Sequence, residues 1–394
     1  MPNSGLERAV ELLSHVSPQK VQLPKTCPEK GLGELTTLEH LAPYVLGEAA
    51  RLDAPDAIAH MDPPTPWITW AMTLWNARLN QNLLHKSTAP FAAEAEQIVL
   101  DWLTPFFGMA GGHFCSGSTL SNLTALWAAR DTRGIKRVVA SKAAHISIGK
   151  AARILGLPYE QVATNTAGEI EVDQLGDLSD AALVLIAGTT TTGAIDQLTL
   201  AGEARWTHMD AAWGGPLRLS DRHAHLLEGI GAVDSVTISA HKWLFQPKDS
   251  ALVLFHDPSE ANAAISFSGS YLAEPNIGVQ GSRGAAAVPL LATLLAWGRA
   301  GMAARIDRTM AMAVQLAEHL KTREDIALWA MPKTGITVFR PLKVSVDEVF
   351  QRLPEGMLST CTLNNQRWLR SVVANPMADV DRIYGALASA IDGK

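Results

Sequence analysis

Four short segments of this sequence gather side chains that could do chemistry, each where an apolar run ends. In "SVTISAHKWLFQP", Lys242 stands between His241 and Trp243, directly after an apolar stretch. Rings on both sides of a lysine that follows a buried strand would desolvate its amine, lower its pKa and make it a nucleophile. In "HMDAAWGG", Asp210 is followed by small residues and two glycines, so a ligand can approach closely. Such a carboxylate could hold a metal, a ribose or a protonated ring nitrogen, or cap a turn. In "GGHFCSGSTLSNLTALWAAR", a Gly/Ser/Thr-rich turn opens a helix near Thr119. Backbone N–H groups and hydroxyls there converge on one spot, which makes a phosphate seat. In "SKAAHISIGKAARILG", His145 follows a strand; alone, a histidine is more often structural than catalytic.

Two competing readings fail on their own terms. Gly112 and Gly117 have the spacing of a nucleotide-binding P-loop, but Ser118 stands where that motif requires lysine. His223 and His225 have no cysteine or carboxylate cluster beside them, so they read as surface and no metal is expected. A phosphate seat, an aspartate at a strand end, an imidazole and a desolvated lysine together point to pyridoxal phosphate. In that chemistry the lysine forms a Schiff base with the cofactor, and the aspartate keeps the pyridine nitrogen protonated so that the ring accepts electrons.

These residues need a scaffold that brings strand ends together. The runs Arg137–Ser141, Ala181–Thr189, Arg205–Trp213, Ser235–Ala240 and Ser250–His256 read as buried strands, with helical stretches such as "TLSNLTALWAARDTRG" and "SIGKAARILGL" between them. Apolar strands without alternation, separated by helices, indicate a mainly parallel sheet covered on both faces, with ligands at the strand ends. Residues 1–62 read as an N-terminal arm of short helices, 63–300 as the large domain and 301–394 as a smaller C-terminal α+β domain.

Composition sets outer bounds. The chain has 394 residues, 47% hydrophobic and 18% charged, enough for a sizeable core and an oligomer interface. A formal net charge of −6 without a long basic run argues against nucleic acid or an anionic membrane as partner. The three cysteines are far apart, without a CxxC pair, which fits a reducing compartment; a cytoplasmic enzyme is expected. The longest apolar stretch, Ala285–Trp297, is too short to span a bilayer.

With these residues assembled, the chain resembles the group II pyridoxal-phosphate-dependent amino-acid decarboxylases. "AHKW" is similar to the family's His-Lys-Trp signature, "HMDAAWGG" to its H-V/M-D-A-A-W/Y-G-G, and "AHISIGKAARILGL" to its A-H-x-S-x-x-K-A-A-x-x-L-G. "CSGSTLSNLTAL", "AGTTTTGAID", "STAPFAAEAEQIVLDWL" and "RWLRSVVANP" match further family segments, in consistent order between about Ile58 and Tyr384. The resemblance implies fold type I of the pyridoxal-phosphate-dependent transferases, with a mainly parallel seven-stranded sheet. It implies a homodimer with active sites at the interface. It implies Lys242 as the Schiff-base lysine, His241 beside the phosphate, and Gly117, Ser118 and Thr119 receiving the phosphate. Asp210 would lie under the pyridine nitrogen, Ala212 and His145 on opposite ring faces, and Thr190 near the cofactor. Arg370 falls at the substrate-carboxylate arginine, with Asn80 and Gln81 near the substrate.

One departure follows Tyr271. The family carries a long loop there that bears a catalytic tyrosine and reaches the neighbouring subunit's site; here only "YLAEPNIGVQGSRG" leads to Ser282 and Arg283. The expected reaction is decarboxylation of an L-amino acid to its amine, with His145 or a neighbour's Tyr271 returning the proton. Transamination, decarboxylation-coupled oxidative deamination to an aldehyde, and cofactor binding without turnover are the alternatives.

Overall fold

The computed structural model describes residues 3–15 and 23–393, and the chain falls into two units, Met1–Arg51 and Leu52–Lys394. The first holds α1 (Asn3–His15) and α2 (Glu34–Val45), where Arg8 pairs with Glu11 and Glu39.

The larger unit opens with α3 (Trp67–Leu79) and α4 (Pro90–Leu103). Its sheet comprises β1 (Gly111–Cys115), β2 (Arg137–Ser141), β3 (Tyr159–Val162), β4 (Ala181–Ile186), β5 (Trp206–Asp210), β6 (Ser235–Ile238) and β7 (Ala251–Phe255). Their order is β1-β7-β6-β5-β4-β2-β3; β7 runs antiparallel to both neighbours, and the other four pairings are parallel. Every residue of β4 is buried because both faces are covered. Leu183 and Leu185 enter one core with Met209, Val236 and Leu252, while Ala182, Val184 and Ile186 enter the other. That second core lies against α5 (Ser118–Arg133) and α6 (Ile146–Ile154), which supply Leu126 and Ile148.

The strands read from sequence all form. Strands β1 and β3 are additional: "GGHFC" reads as part of a glycine-rich turn, yet it pairs with β7, and Tyr159–Val162 pairs with β2 at the other edge. The glycine has a packing cause, since a Cβ on Gly112 would lie 2.1 Å from the Val253 carbonyl oxygen.

After α7 (Pro258–Ala264), β8 (Ser266–Phe267) and β9 (Asn276–Ile277) form a small ribbon, followed by α8 (Ala287–Lys321). Helix α8 is long and apolar enough to cross a membrane, but its apolar side faces the protein cores and it breaks at Gly298, φ 62°. Leu290 and Leu294 pack before the break with the large-sheet core. Beyond it, Met312, Leu316 and Leu320 pack with the C-terminal sheet, β10 (Ile326–Leu328), β11 (Ile336–Pro341), β12 (Ser359–Leu363) and β13 (Gln366–Val372). That antiparallel sheet has the order β10-β11-β13-β12 and carries α9 (Val346–Arg352) and α10 (Val380–Asp392).

The sequence reading put residues 52–62 with the arm; in the structure they are tied to this C-terminal region. Val372 N donates to Ile58 O at 2.6 Å, Asp379 N to Pro55 O at 2.7 Å and Asn375 Nδ2 to Ala54 O at 2.8 Å.

Candidate active site

The parallel strands β2, β4, β5 and β6 end on the same edge, and the segments that follow them close a small cavity. Ser118, His145, Ile186, Gly188, Thr190, Asp210, Ala212, Trp213 and Lys242 line it. Six residues singled out from sequence therefore meet: Ser118, His145, Thr190, Asp210, Ala212 and Lys242. This is the strand-end crevice where open α/β sheets bind ligands.

Lys242 follows β6 in a turn held by Lys242 N donating to Ser239 O and Phe245 N donating to Lys242 O. Its flanking ring Trp243 is fully buried and stacks on Trp213 at a centroid distance of 4.0 Å. Burial pushes the Lys242 pKa below the ordinary lysine value; the Asp210 charge opposes this, and Lys248 and Arg370 add to it. A larger fraction of this amine is consequently neutral near pH 7 than of a solvated lysine.

Asp210 ends β5 and is buried, with 5% exposure. Its Oδ1 accepts from Ala212 N at 3.1 Å and its Oδ2 from Asn122 Nδ2 at 2.9 Å. Two donors fix the carboxylate plane, and an ionised carboxylate retains lone pairs for a further donor. His145 is the N-cap of α6: its Nδ1 accepts from Ser147 N at 3.2 Å and lies 2.8 Å from Ser147 Oγ. Burial lowers its pKa, with Asp210 acting the other way.

The surroundings fit pyridoxal phosphate. Gly117 precedes α5, and a Cβ placed on it would meet nothing within 4 Å, so space is open there. The first-turn N–H groups of Ser118 and Thr119 have no acceptor among the described residues and stand free for a phosphate. His241 Nδ1 is buried without a partner, while its Nε2 lies 3.1 Å from Ser239 Oγ. Burial lowers the His241 pKa to about 4, with Lys248 and Lys242 adding to it.

Other expected site residues are placed differently. Arg370 sits on β13, outside the cavity lining but near enough for its charge to bear on Lys242. Asn80, the left-handed C-cap of α3, is exposed, Gln81 is half-buried, and neither lines the Lys242 cavity of its own chain. Tyr271 is 73% exposed in the connection between β8 and β9 and lines a different cleft, with His113 and Arg283. Arg283 makes a bidentate ion pair with Glu96. His223 is half-buried, with Nε2 3.7 Å from Asp307 Oδ1, and His225 is exposed. No cluster of three metal-ligating side chains occurs among the described residues.

Asn122, Ser147 and His208 were not singled out from sequence, although all lie inside the quoted segments. Their positions carried the signal. Asn122 is four residues after Ser118 on α5, hence on the same helix face. His208 is two before Asp210 on β5, hence on the same sheet face.

Comparison with known proteins adds four findings. The pyridoxal-dependent decarboxylase conserved domain matches residues 18–342. The chain is 34% identical over 350 residues to L-2,4-diaminobutyrate decarboxylase of Rhizobium meliloti, covering 79% of this chain and 70% of that one. It is 30% identical over 364 residues to aspartate 1-decarboxylase of Aliivibrio fischeri, covering 77% and 66% respectively. In fold it is similar to mouse CSAD, with a TM-score of 0.86 at 24% identity, covering 98% of each chain. The domain match spans most of the chain and the fold agrees with it. This chain therefore belongs to the pyridoxal-dependent decarboxylase family, as a pyridoxal-phosphate-dependent carboxy-lyase that converts an amino acid to an amine.

Proposed function

We propose that the substrate is a short amino acid with an acidic side chain, decarboxylated in the Lys242 cavity. The observation that carries this reading is a set of buried donors without acceptors around Arg370. Trp329 Nε1, Arg340 Nε, Trp368 Nε1 and Arg370 Nε are all buried and unpartnered. Trp368 and Arg370 alternate onto one face of β13, and the Arg340 guanidinium lies 5.1 Å from the Trp368 ring centroid. Unpaired buried donors are costly unless an anion meets them. A substrate with two acid groups would supply acceptors for both arginines. The aspartate 1-decarboxylase relative is compatible with this.

In this reading Lys242 Nζ, kept partly neutral by burial, attaches the cofactor covalently. Ser118 N, Thr119 N and His241 Nδ1 hold its phosphate, and Asp210 keeps its ring nitrogen protonated. The bound cofactor supplies an electron sink for the pair left when carbon dioxide departs. Arg370 holds the substrate α-carboxylate with two parallel N–H donors, which fixes the bond to be broken. Ala212 and His145, which line the same cavity, would be the side chains that flank the bound cofactor. His145 is expected from sequence as one source of the proton returned to carbon, but its Nδ1 is taken up by Ser147 Oγ and N, which leaves Lys242 Nζ or Tyr271 of a second copy.

The reading includes a homodimer. Trp67, Trp70, Leu74, Trp75 and Leu79 along α3 are 46–70% exposed, a large apolar face for a second copy to cover. The free thiols fit a cytoplasmic location.

The test is a carbon-dioxide release panel with aspartate, cysteine sulfinate, glutamate, diaminobutyrate, ornithine and aromatic amino acids. The fastest release is expected from a short acidic substrate. A preference for diaminobutyrate or an aromatic amino acid would overturn the substrate class and leave the Lys242 chemistry standing.

A further inference from the structure

Six side chains at and behind the cavity form one hydrogen-bonded series whose directions follow from the groups at fixed donor or acceptor positions. It starts at Trp206, whose indole N–H only donates, to Ser235 Oγ at 2.9 Å. Ser235 Oγ is 2.8 Å from His208 Nδ1, and His208 Nε2 is 3.0 Å from Asn122 Oδ1. The Asn122 amide nitrogen donates both its hydrogens, one to Asp210 Oδ2 and one to Ser147 Oγ, each at 2.9 Å. Ser147 Oγ is 2.8 Å from His145 Nδ1, which also accepts from the backbone N–H of Ser147 at 3.2 Å.

One donor-only group and one acceptor-only group decide the directions. A backbone N–H can only donate, so His145 Nδ1 is the lone-pair nitrogen, and the Ser147 hydroxyl donates to it as well. Asn122 Oδ1 can only accept, so His208 bears its proton on Nε2. Burial lowers the His208 pKa to about 4, so its ring is neutral near pH 7 and Nδ1 accepts from the Ser235 hydroxyl. His208, Asn122, Ser235 and Ser147 are all buried, with at most 1% exposure, so water does not compete for these bonds.

We propose that this relay, Trp206–Ser235–His208–Asn122–Ser147–His145 with a branch to Asp210, fixes His145 as the neutral imidazole protonated on Nε2 and holds the Asp210 carboxylate in place. Asn122, Ser147 and His208 are then positioning residues for the reaction. The consequence for His145 is specific. Its Nδ1 is saturated by two donors and takes up no proton, so the ring does not cycle as a general acid. It offers the site one N–H donor and a flat face. The inference rests on the reading that Asp210 and His145 face the cofactor.

The experiment is nitrogen-15 NMR of the histidine side chains in the holoenzyme near pH 7, with His145 and His208 assigned by loss of signal in His145→Gln and His208→Gln. Expected are protonated Nε2 and unprotonated Nδ1 for both rings. A His145 ring protonated on Nδ1, or averaging between tautomers, overturns the proposal. Kinetics supply the second arm. Glutamine places an N–H donor near the position of histidine Nε2, so His208→Gln should stay within about threefold of the native kcat. His208→Leu should lose roughly tenfold to a hundredfold in kcat, with little change in KM. Equal rates for the two variants, with the His145 signature unmoved in both, would also overturn it. If His208→Leu does not fold, the native spectrum alone still decides. The expected signature in a protein that releases no carbon dioxide would leave the relay standing and count against the functional reading instead.

Discussion

Asn122 Nδ2 lies 2.9 Å from Asp210 Oδ2, joining the first helix after the phosphate-seat turn to the carboxylate at the end of β5. With Ala212 N donating to the other oxygen, Asp210 is held from two sides and keeps lone pairs for a further donor, which in the proposed function is the cofactor's ring nitrogen. The electron sink depends on a charge at that position. Asp210→Asn keeps the shape and removes the charge, so kcat should fall roughly a hundredfold or more even with saturating pyridoxal phosphate. Steady-state kinetics across cofactor concentrations check this. A near-native kcat with only weaker cofactor affinity would remove Asp210 from the chemistry.

Arg370 sits on β13, outside the cavity lining but near enough for its charge to bear on Lys242, and burial lowers its pKa, as expected for a guanidinium drawn out of water. A lysine keeps the charge but not the planar pair of donors. Arg370→Lys should lose roughly a hundredfold in kcat/KM while the cofactor's visible spectrum stays native. Unchanged kcat/KM would move the substrate carboxylate elsewhere.

His208 links the site to acid stability. Burial holds its folded pKa at about 4, against 6.5 for an unperturbed ring, so the unfolded chain binds the extra proton first as pH falls. Stability contributed by the neutral ring is present above pH 6.5, is lost as pH falls toward about 4, and is gone below it. The loss is on the order of 3 kcal/mol at full protonation. His113 and His241, whose pKa values burial also lowers to about 4, act in the same direction. Urea unfolding of the native protein and His208→Gln at neutral and acid pH should show the variant losing less stability. Parallel pH dependence would mean that His208 is not the buried neutral base described here.

Tyr271 tests the dimer and the short connection between β8 and β9 together. It is exposed in its own chain and does not line the Lys242 cavity, so any catalytic role requires a second copy. Tyr271→Phe should slow amine formation and raise the share of aldehyde formed with dissolved oxygen, measured by product chromatography. A native product ratio would leave Lys242 as the proton source.

The sequence carried the site better than its boundaries. Lys242, Asp210 and His145 were legible because each follows a continuous apolar strand, and strand ends in a parallel sheet converge. Strand β1 was not legible, since its glycines answer a close backbone approach to β7 that no local pattern reveals. The attachment of residues 54–58 to the C-terminal region was equally hidden, because those bonds join positions some 300 residues apart through main-chain carbonyls. His208 and Asn122 were within reach of periodicity alone, by a step of two on a strand and four on a helix. Their role needed the distances.

The account stands most directly on Lys242 Nζ as the atom that carries the cofactor. Borohydride reduction of the holoenzyme, proteolysis and mass spectrometry locate that attachment. The account predicts a pyridoxyl group on the peptide containing Lys242, and in a folded Lys242→Ala variant neither that label nor the reducible visible absorption. Attachment at another lysine in the native protein, or an unchanged reducible absorption in Lys242→Ala, would contradict it.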